Sequence, residues 1–163
     1  MRAAVVTVSD GVAQGTRQDE SGEALAELLS EAGFEVVERL VVPDERERIA
    51  GLLRDLCDAD RADLVLSTGG TGFAPRDVTP EATLTVLERL SPGIDQALRA
   101  DSLRHTPHGM LSRGVSGTRR RTVVINLPGS PKACREGFAL LAPVLPHAVA
   151  LLRDEPTSHG RGA

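Results

Sequence analysis

The stretch from residue 63 to residue 83 places the strongest constraint on how this chain can fold. It begins with a short apolar run, Leu64–Leu66, that is typical of a buried strand. A glycine-containing turn follows over residues 67–72, with the sequence Ser-Thr-Gly-Gly-Thr-Gly. Thr79 and Pro80 then predict a helix start, with the threonine as N-cap and the proline in the first turn. The stretch therefore predicts a strand, a tight turn and a helix in close succession.

The glycine turn is suited to hold an anion. Glycines let the backbone turn sharply and approach a ligand closely, and successive N–H groups in such a turn form a concave anion site. The turn is neither a P-loop, because no Gly-Lys-Ser/Thr closes it, nor a dinucleotide fingerprint, because the third glycine is missing. A strand–helix connection that uses glycine only for its geometry stays open as the alternative. The candidate phosphate-binding residues are Thr68, Gly69, Gly70, Thr71 and Gly72.

Two aspartates are candidates for holding a metal ion. Asp77 lies between the glycine turn and the predicted helix, where its carboxylate would repel a bound phosphate unless a cation lay between them. That conflict indicates a phosphate–Mg²⁺–aspartate arrangement. Asp44 precedes another predicted helix, and aspartate is a favoured N-cap, so position alone favours a structural role for it. Capping explains Asp77 less well, because it lies two residues before the predicted Thr79 cap.

Predicted strands and helices alternate along the chain, which is typical of βαβ units and predicts an α/β protein, a three-layer αβα sandwich with a mostly parallel sheet. In such sheets, ligands bind beyond the carboxyl ends of the strands. Polar residues follow several predicted strands, so Asp10, Asp44, Asp77 and Ser130 should line one cleft. The predicted strands are 3–8, 34–42, 64–66, 115–117 and 122–127; the predicted helices are 21–32, 45–57, 80–90, 92–105 and 131–152; residues 11–19 and 106–114 are predicted to be irregular.

Length and composition limit the functions available. The 163 residues suit one domain, over residues 1–153, followed by a flexible tail over 154–163. A net charge of −4 and the near absence of aromatics, with three Phe and no Tyr or Trp, argue against nucleic-acid binding. No apolar run approaches the ~20 residues of a membrane span, and nothing resembles a secretion signal, so we expect a cytoplasmic location without a membrane partner. Cys57 and Cys134 are expected to be buried free thiols.

Several motifs together resemble those of the MogA/MoaB family of molybdenum-cofactor biosynthesis. The central one is L-S-T-G-G-T-G at 66–72, followed by R-D-V-T-P-E-A-T at 76–83. The others occur in the family's order: V-S-D at 8–10, V-P-D-E at 42–45, L-S-R at 111–113 and N-L-P-G-S-P-K at 126–132. The resemblance extends from Arg2 to about Leu152, which is nearly the whole chain.

This resemblance implies an activity and a set of residue roles. The activity is that of a molybdopterin adenylyltransferase, which uses ATP and Mg²⁺; a molybdopterin-binding or scaffold protein with little catalysis is the alternative. Asp44 and Asp77 match the family's catalytic and Mg²⁺-binding aspartates, and Ser9 and Asp10 are placed near the nucleotide. A homotrimer, or a hexamer built from trimers, is also implied. The residues implied to bind pterin or phosphate are Arg113, Asn126, Pro128, Gly129, Ser130 and Lys132.

Overall fold

The sheet predicted from the sequence is present and contains six strands. A computed structural model describes residues 1–154, so most of the predicted tail lies outside the described residues. The strands are β1 (Arg2–Val8), β2 (Glu35–Val42), β3 (Leu64–Thr68), β4 (Arg89–Leu90), β5 (Ser116–Arg119) and β6 (Thr122–Leu127). Their order across the sheet is β2-β1-β3-β6-β5-β4. The first four of these pair in parallel, whereas β5 and β4 add an antiparallel edge.

Within residues 1–154, seven α-helices lie between the strands or follow the last of them. They are α1 (Asp10–Ala13), α2 (Glu20–Glu31), α3 (Arg46–Asp58), α4 (Thr79–Leu84), α5 (Pro92–His105), α6 (Pro131–Leu141) and α7 (Leu145–Leu152). A 3₁₀ helix over Pro107–Leu111 follows α5, within the segment predicted to be irregular. α1 is a short helix in the segment predicted to be a loop; it forms because the Ser9 hydroxyl accepts a hydrogen bond from the Val12 N–H.

The helices cover both faces of the sheet, which confirms the three-layer sandwich. Side chains alternate along each strand, so β1 sends Ala3 and Val5 to one face and Ala4 and Val6 to the other. The first core contains apolar residues of α2, α6 and α7, with α5 packed against it. The second core contains residues of α3 and α4. Both faces of the central strands are therefore buried, as expected for parallel strands that read as continuous apolar runs.

Two predicted helices differ from those observed. The helix predicted to reach Leu90 ends at Leu84, because the following backbone joins the sheet edge, where the Glu88 N–H donates to the Thr118 carbonyl. The predicted 131–152 helix is two helices bent by 64°. Pro143 explains the break, since proline cannot donate the hydrogen bond that would continue the helix.

In the described part of the chain, no single helix is long and apolar enough to cross a membrane, and only the bent pair α6–α7 reaches that length and composition together. Buried residues of both helices belong to the core already described. Cys57 and Cys134 are buried free thiols, as predicted. Burial raises the pKa of each thiol to about 11, so both stay protonated at neutral pH.

Candidate functional site

The carboxyl ends of four strands meet at one edge of the sheet. The pairing register places Val8 of β1 opposite Val42 of β2, and Thr7 opposite Thr68 of β3. Thr68 in turn lies opposite Leu127 of β6. The residues that follow these strands therefore emerge side by side, although they are far apart in the sequence.

Two cavities open at this edge. The strand-end cavity, of about 210 Å³, is lined by residues that include Ser9, Asp44, Thr68, Gly69 and Arg17. The larger side cavity, of about 480 Å³, is lined by residues that include Thr71, Gly72, Phe73, His108, Leu111, Pro128 and Ser130. Gly70, Asp77 and Gly129 line both. Asp44 and Asp77 thus share one cavity and do not lie on opposite edges of the sheet. Of the four residues predicted to line one cleft, Ser130 lines only the side cavity and Asp10 lines neither.

The glycine turn has the tight geometry that its sequence predicts. Gly69 has φ of +100°, and a Cβ atom there would lie 2.2 Å from the Val8 carbonyl oxygen, so only glycine fits. Gly70 has φ of +63°, and a Cβ atom there would lie 2.3 Å from the Thr79 hydroxyl. That hydroxyl donates to the Gly69 carbonyl at 2.9 Å, and the Thr79 N–H donates to the Gly70 carbonyl at 3.1 Å. The prediction that Thr79 is an N-cap is wrong: Val78 holds that position, and the threonine fixes the turn instead.

The turn presents a row of unused amide groups. The N–H of Gly69 donates to the Leu127 carbonyl at 3.2 Å and is not available to a ligand. Within residues 1–154, by contrast, the N–H groups of Gly70, Thr71 and Gly72 donate to no protein acceptor. Three successive unpaired N–H groups at a strand end form the kind of concavity that binds phosphate oxygens.

Asp44 forms two hydrogen bonds with Asp10, which follows the neighbouring strand β1. Its Oδ2 accepts a hydrogen bond from the Asp10 N–H at 2.8 Å, and its own N–H donates to the Oδ1 of Asp10 at 3.0 Å. Glu45, not Asp44, occupies the cap position of α3, and no side chain caps that helix. The cap role that position alone favours for Asp44 is therefore wrong, because its carboxylate accepts a hydrogen bond from Asp10, 34 positions earlier.

The negative charges of Asp10 and Asp44 are compensated to different degrees. The Arg76 guanidinium donates two hydrogen bonds of 2.9 Å to the Asp10 carboxylate and holds its pKa below the usual range. Burial raises the pKa of Asp44, and the negative charges of Asp10 and Asp77 add to that rise. A cation near Asp44 would oppose both effects by favouring the ionised carboxylate.

Asp77 approaches the same glycine turn from another direction. Its Oδ2 accepts a hydrogen bond from the Ala74 N–H at 3.0 Å. A Cβ atom on Gly72 would lie 2.9 Å from that oxygen, whereas one on Gly70 would lie 3.0 Å from the Oδ1 of Asp44. The two carboxylates therefore face neighbouring glycines of one turn. Within the described residues, no group of three or more His, Cys, Asp or Glu side chains could hold a metal ion, so a metal here would depend on ligand oxygens.

Arg113 lines neither cavity, and its side chain instead binds the backbone of the loop that carries Asp77. Its Nε donates to the Gly72 carbonyl at 2.7 Å, and its Nη2 donates to the Asp77 carbonyl at 2.6 Å. Its Nη1 pairs with Glu81, and its backbone N–H donates to the Thr71 carbonyl. The guanidinium that the resemblance places on pterin or phosphate is thus engaged with protein atoms.

The motif at residues 126–132, which begins at the end of β6, contains some residues that line the cavities and others that do not. Ser130 is the N-cap of α6 and accepts a hydrogen bond from the Ala133 N–H at 3.1 Å. Asn126 is buried beneath the site, where its Nδ2 donates to the hydroxyls of Ser67 and Thr83. The Lys132 side chain is 82% exposed, lies 3.8 Å from Glu136 and lines neither cavity.

Sequence reasoning missed the wall that the α1–α2 segment contributes to the strand-end cavity. Arg17, Gln18, Glu20 and Ser21 all line it. Residues 11–19 showed no periodicity or motif, so no pattern distinguished Arg17 from the other arginines. The available indication was position, because this segment follows β1 and a loop at a strand's carboxyl end is a common place for ligand contacts.

A mostly parallel αβα sandwich with a glycine turn and two carboxylates at its strand ends defines an α/β protein whose cavities lie beyond the carboxyl ends of its strands. The chain belongs to the family described as "Probable molybdopterin binding domain", whose model matches residues 4–147. Molybdopterin adenylyltransferase from Helicobacter pylori (strain J99) is 41% identical over 150 residues, covering 91% of this chain and 85% of that protein.

Other similar proteins include a solved structure and a much longer chain. The structure of the molybdopterin biosynthesis enzyme MoaB from Thermus thermophilus is 48% identical, with a TM-score of 0.89, and covers 95% of this chain and 98% of that one. Molybdenum cofactor synthesis protein cinnamon from Drosophila melanogaster is 42% identical over 153 residues, or 93% of this chain. This chain spans only 25% of the length of cinnamon.

Proposed function

We propose that this chain is a molybdopterin adenylyltransferase that transfers AMP from ATP to molybdopterin and releases pyrophosphate. The similarity to relatives with that name supports the activity. The observation that carries the proposal is the placement of Asp44 and Asp77 on either side of a glycine turn with three unpaired N–H groups. A nucleotidyl transfer needs an anion cradle and charge neutralisation more than it needs a covalent catalyst.

The donor atoms present fit Mg²⁺. This ion prefers oxygen ligands and is commonly held by one or two carboxylates together with substrate phosphates. Asp44 and Asp77 supply the carboxylates, and the triphosphate would supply the remaining charged oxygens. When bound, the ion would neutralise charge on the phosphates, which is the chemistry that the carboxylates alone cannot provide.

The residues of the chain would then position the two substrates. A terminal phosphate oxygen of molybdopterin forms a bond to the α-phosphorus of ATP, and the bond from that phosphorus to the bridging oxygen breaks, releasing pyrophosphate. A phosphate monoester is mostly ionised at neutral pH, so neither aspartate need act as a base. Gly70 and its two successors would bind phosphate through their N–H groups, and Ser9 and Asp10 would border the nucleotide.

The two cavities differ in a way that suggests how the ligands divide. The strand-end cavity contains the two aspartates and suits the polyphosphate. The side cavity is larger and contains Phe73, Leu111 and Pro128, so it suits a planar ring. The reacting phosphorus would lie near Gly70, Asp77 and Gly129, which line both. Ser130 would bind phosphate or pterin beside them.

The experiment that tests the proposal is a turnover assay with molybdopterin and ATP. We expect adenylylated molybdopterin and pyrophosphate in equal amounts with Mg²⁺, and loss of both with EDTA. MgATP should also raise the thermal unfolding midpoint, because it binds only the folded state. Binding of molybdopterin without turnover would instead support the alternative, a binding or scaffold protein.

The assembly state and location are separate proposals. We propose a homotrimer, or a hexamer built from trimers, in the cytoplasm. Light scattering should give three or six times the chain mass of 17.2 kDa. A monomeric mass at micromolar concentration would contradict the assembly proposal.

A further inference from the structure

The strand-end cavity has an unbalanced charge. Asp44, Asp77 and Glu20 bring three carboxylates to its lining. Among the described residues that line it, Arg17 is the only lysine or arginine. A polyphosphate bound here would add several more negative charges, so each available cation matters to its affinity.

Four other basic side chains near the site already have acidic or carbonyl partners. Arg76 donates to the Asp10 carboxylate, and Arg113 bridges two carbonyls and Glu81. Lys132 points outside the cavities and lies near Glu136, and Arg39 pairs with Asp19. Within residues 1–154, the Arg17 guanidinium has no acceptor. Among the described residues that line this cavity, it is therefore the one cation that a ligand can engage without breaking an existing ion pair.

The position of Arg17 is set by its backbone and by Gly11. Its N–H donates to the Gly11 carbonyl at 3.1 Å. A Cβ atom on Gly11 would lie 2.9 Å from the Arg17 Cδ, so the aliphatic part of the side chain packs closely over that glycine. This contact holds the stem of the arginine at the cavity that it lines and leaves its planar donor group for the ligand.

We propose that Arg17 binds the β- and γ-phosphates of ATP, the group that leaves as pyrophosphate. This inference rests on the proposed function. The α-phosphorus must lie near the residues shared by both cavities, because the acceptor approaches from the side cavity. The rest of the polyphosphate then extends into the strand-end cavity, where Arg17 forms the wall. A guanidinium suits this role, since its fork of N–H donors matches phosphate oxygens.

The test is calorimetric titration of MgATP, magnesium pyrophosphate and AMP into the wild type and three variants. Arg17→Ala should weaken MgATP and pyrophosphate binding by about tenfold, the scale of one charge-assisted hydrogen bond, and change AMP binding by less than about twofold. Arg17→Lys should lie between wild type and Arg17→Ala. Arg61→Ala is the matched control, because it removes the same charge from the opposite end of the sheet, where Arg61 pairs with Glu38.

The possible results separate the role of Arg17 from the proposed function itself. Wild-type affinity of Arg17→Ala for MgATP and pyrophosphate would overturn the role of Arg17 and leave the proposed function standing. An equal loss of affinity in Arg17→Ala and Arg61→Ala would also overturn it, because the loss would then come from the change in net charge. If the wild type binds none of these ligands, with or without molybdopterin, the proposed function itself fails.

Discussion

Replacing Arg113 with alanine should damage both stability and catalysis through one loop. The Arg113 side chain fastens the carbonyls of Gly72 and Asp77, which flank the loop residues 73–76. Its guanidinium also lies 5.8 Å from the Phe73 ring centroid. Alanine would remove these contacts together and release the segment that carries the Asp77 carboxylate. We therefore expect activity to fall because the Asp77 carboxylate is displaced, since Arg113 itself lines neither cavity.

The size of the stability loss follows from the contacts. Hydrogen bonds from a charged donor contribute about 1.5–3 kcal/mol each, and two part-exposed ones belong at or below the lower end of that range. The pair with Glu81 adds less than about 1 kcal/mol, since its side chains are 31% and 40% exposed. Together these give a loss of about 2–3 kcal/mol. For a domain of this size, that lowers the unfolding midpoint by roughly 5–10 °C.

The assay combines thermal unfolding with steady-state kinetics of adenylyl transfer. We expect kcat per folded molecule to fall by at least ~10-fold in Arg113→Ala, with a smaller change in KM for molybdopterin, as for other losses of positioning. Arg113→Lys should recover part of the stability and little of kcat, because an ammonium cannot bridge both carbonyls. Arg99→Ala is the control: it removes one arginine–carbonyl hydrogen bond of 3.1 Å outside this loop.

Two results would contradict this role of Arg113. Normal kcat per folded molecule with a lowered unfolding midpoint would show that Arg113 stabilises the fold without positioning Asp77. A rise confined to the KM for molybdopterin, reversed by Arg113→Lys, would show instead that Arg113 contacts the pterin substrate, as the family resemblance implies.

Two further predictions concern backbone geometry and pH. Gly69→Ala should cost several kcal/mol by chemical denaturation, because its Cβ would lie 2.2 Å from a backbone oxygen, whereas Gly51→Ala, with open space around it, should be neutral or stabilising. Asp44→Asn should raise the unfolding midpoint of the ligand-free protein at pH 7, since burial and neighbouring charges raise the pKa of Asp44 and its ionised form opposes folding. That gain in the unfolding midpoint should shrink as the pH falls through the raised pKa of Asp44 in the folded protein, because wild-type Asp44 becomes neutral there. A gain that grows as the pH falls would contradict a raised pKa for Asp44.

The parts of the fold that the sequence predicts are those determined by local pattern. Apolar runs such as Leu64–Leu66 predict buried strands, and Ser130 before Pro131 predicts the start of α6. Pro143 lies within an apolar helical pattern that continues on either side, so the pattern alone suggested one helix where two exist. Local periodicity therefore gives the elements more reliably than it gives their ends.

Roles that depend on partners far along the chain were not predictable. Asp44 and Thr79 are both good N-caps by type, yet their actual partners are Asp10 and the Gly69 carbonyl. Those contacts exist only because parallel pairing brings the strand ends together. Arg113 is a further case, since its contacts cross 41 positions to Gly72 and 36 to Asp77. The sequence thus indicated some of the residues that line the cavities, such as Asp44 and Asp77, but it missed Arg17 and did not show which residues hold others in place.

The catalytic role of Asp77 is tested by the turnover of Asp77→Asn, measured per folded molecule over a range of Mg²⁺ concentrations. If Asp77 holds Mg²⁺ at the reacting phosphates, the variant should fold and bind molybdopterin normally. Its turnover should fall by at least ~10²-fold, the scale of a lost preorganised electrostatic contact, and its remaining activity should need higher Mg²⁺. If Asp77 only shapes the loop through the Ala74 N–H, the change should cost about 0.5–2 kcal/mol of stability instead. Near-normal specific activity with a lowered unfolding midpoint would contradict the catalytic role of Asp77.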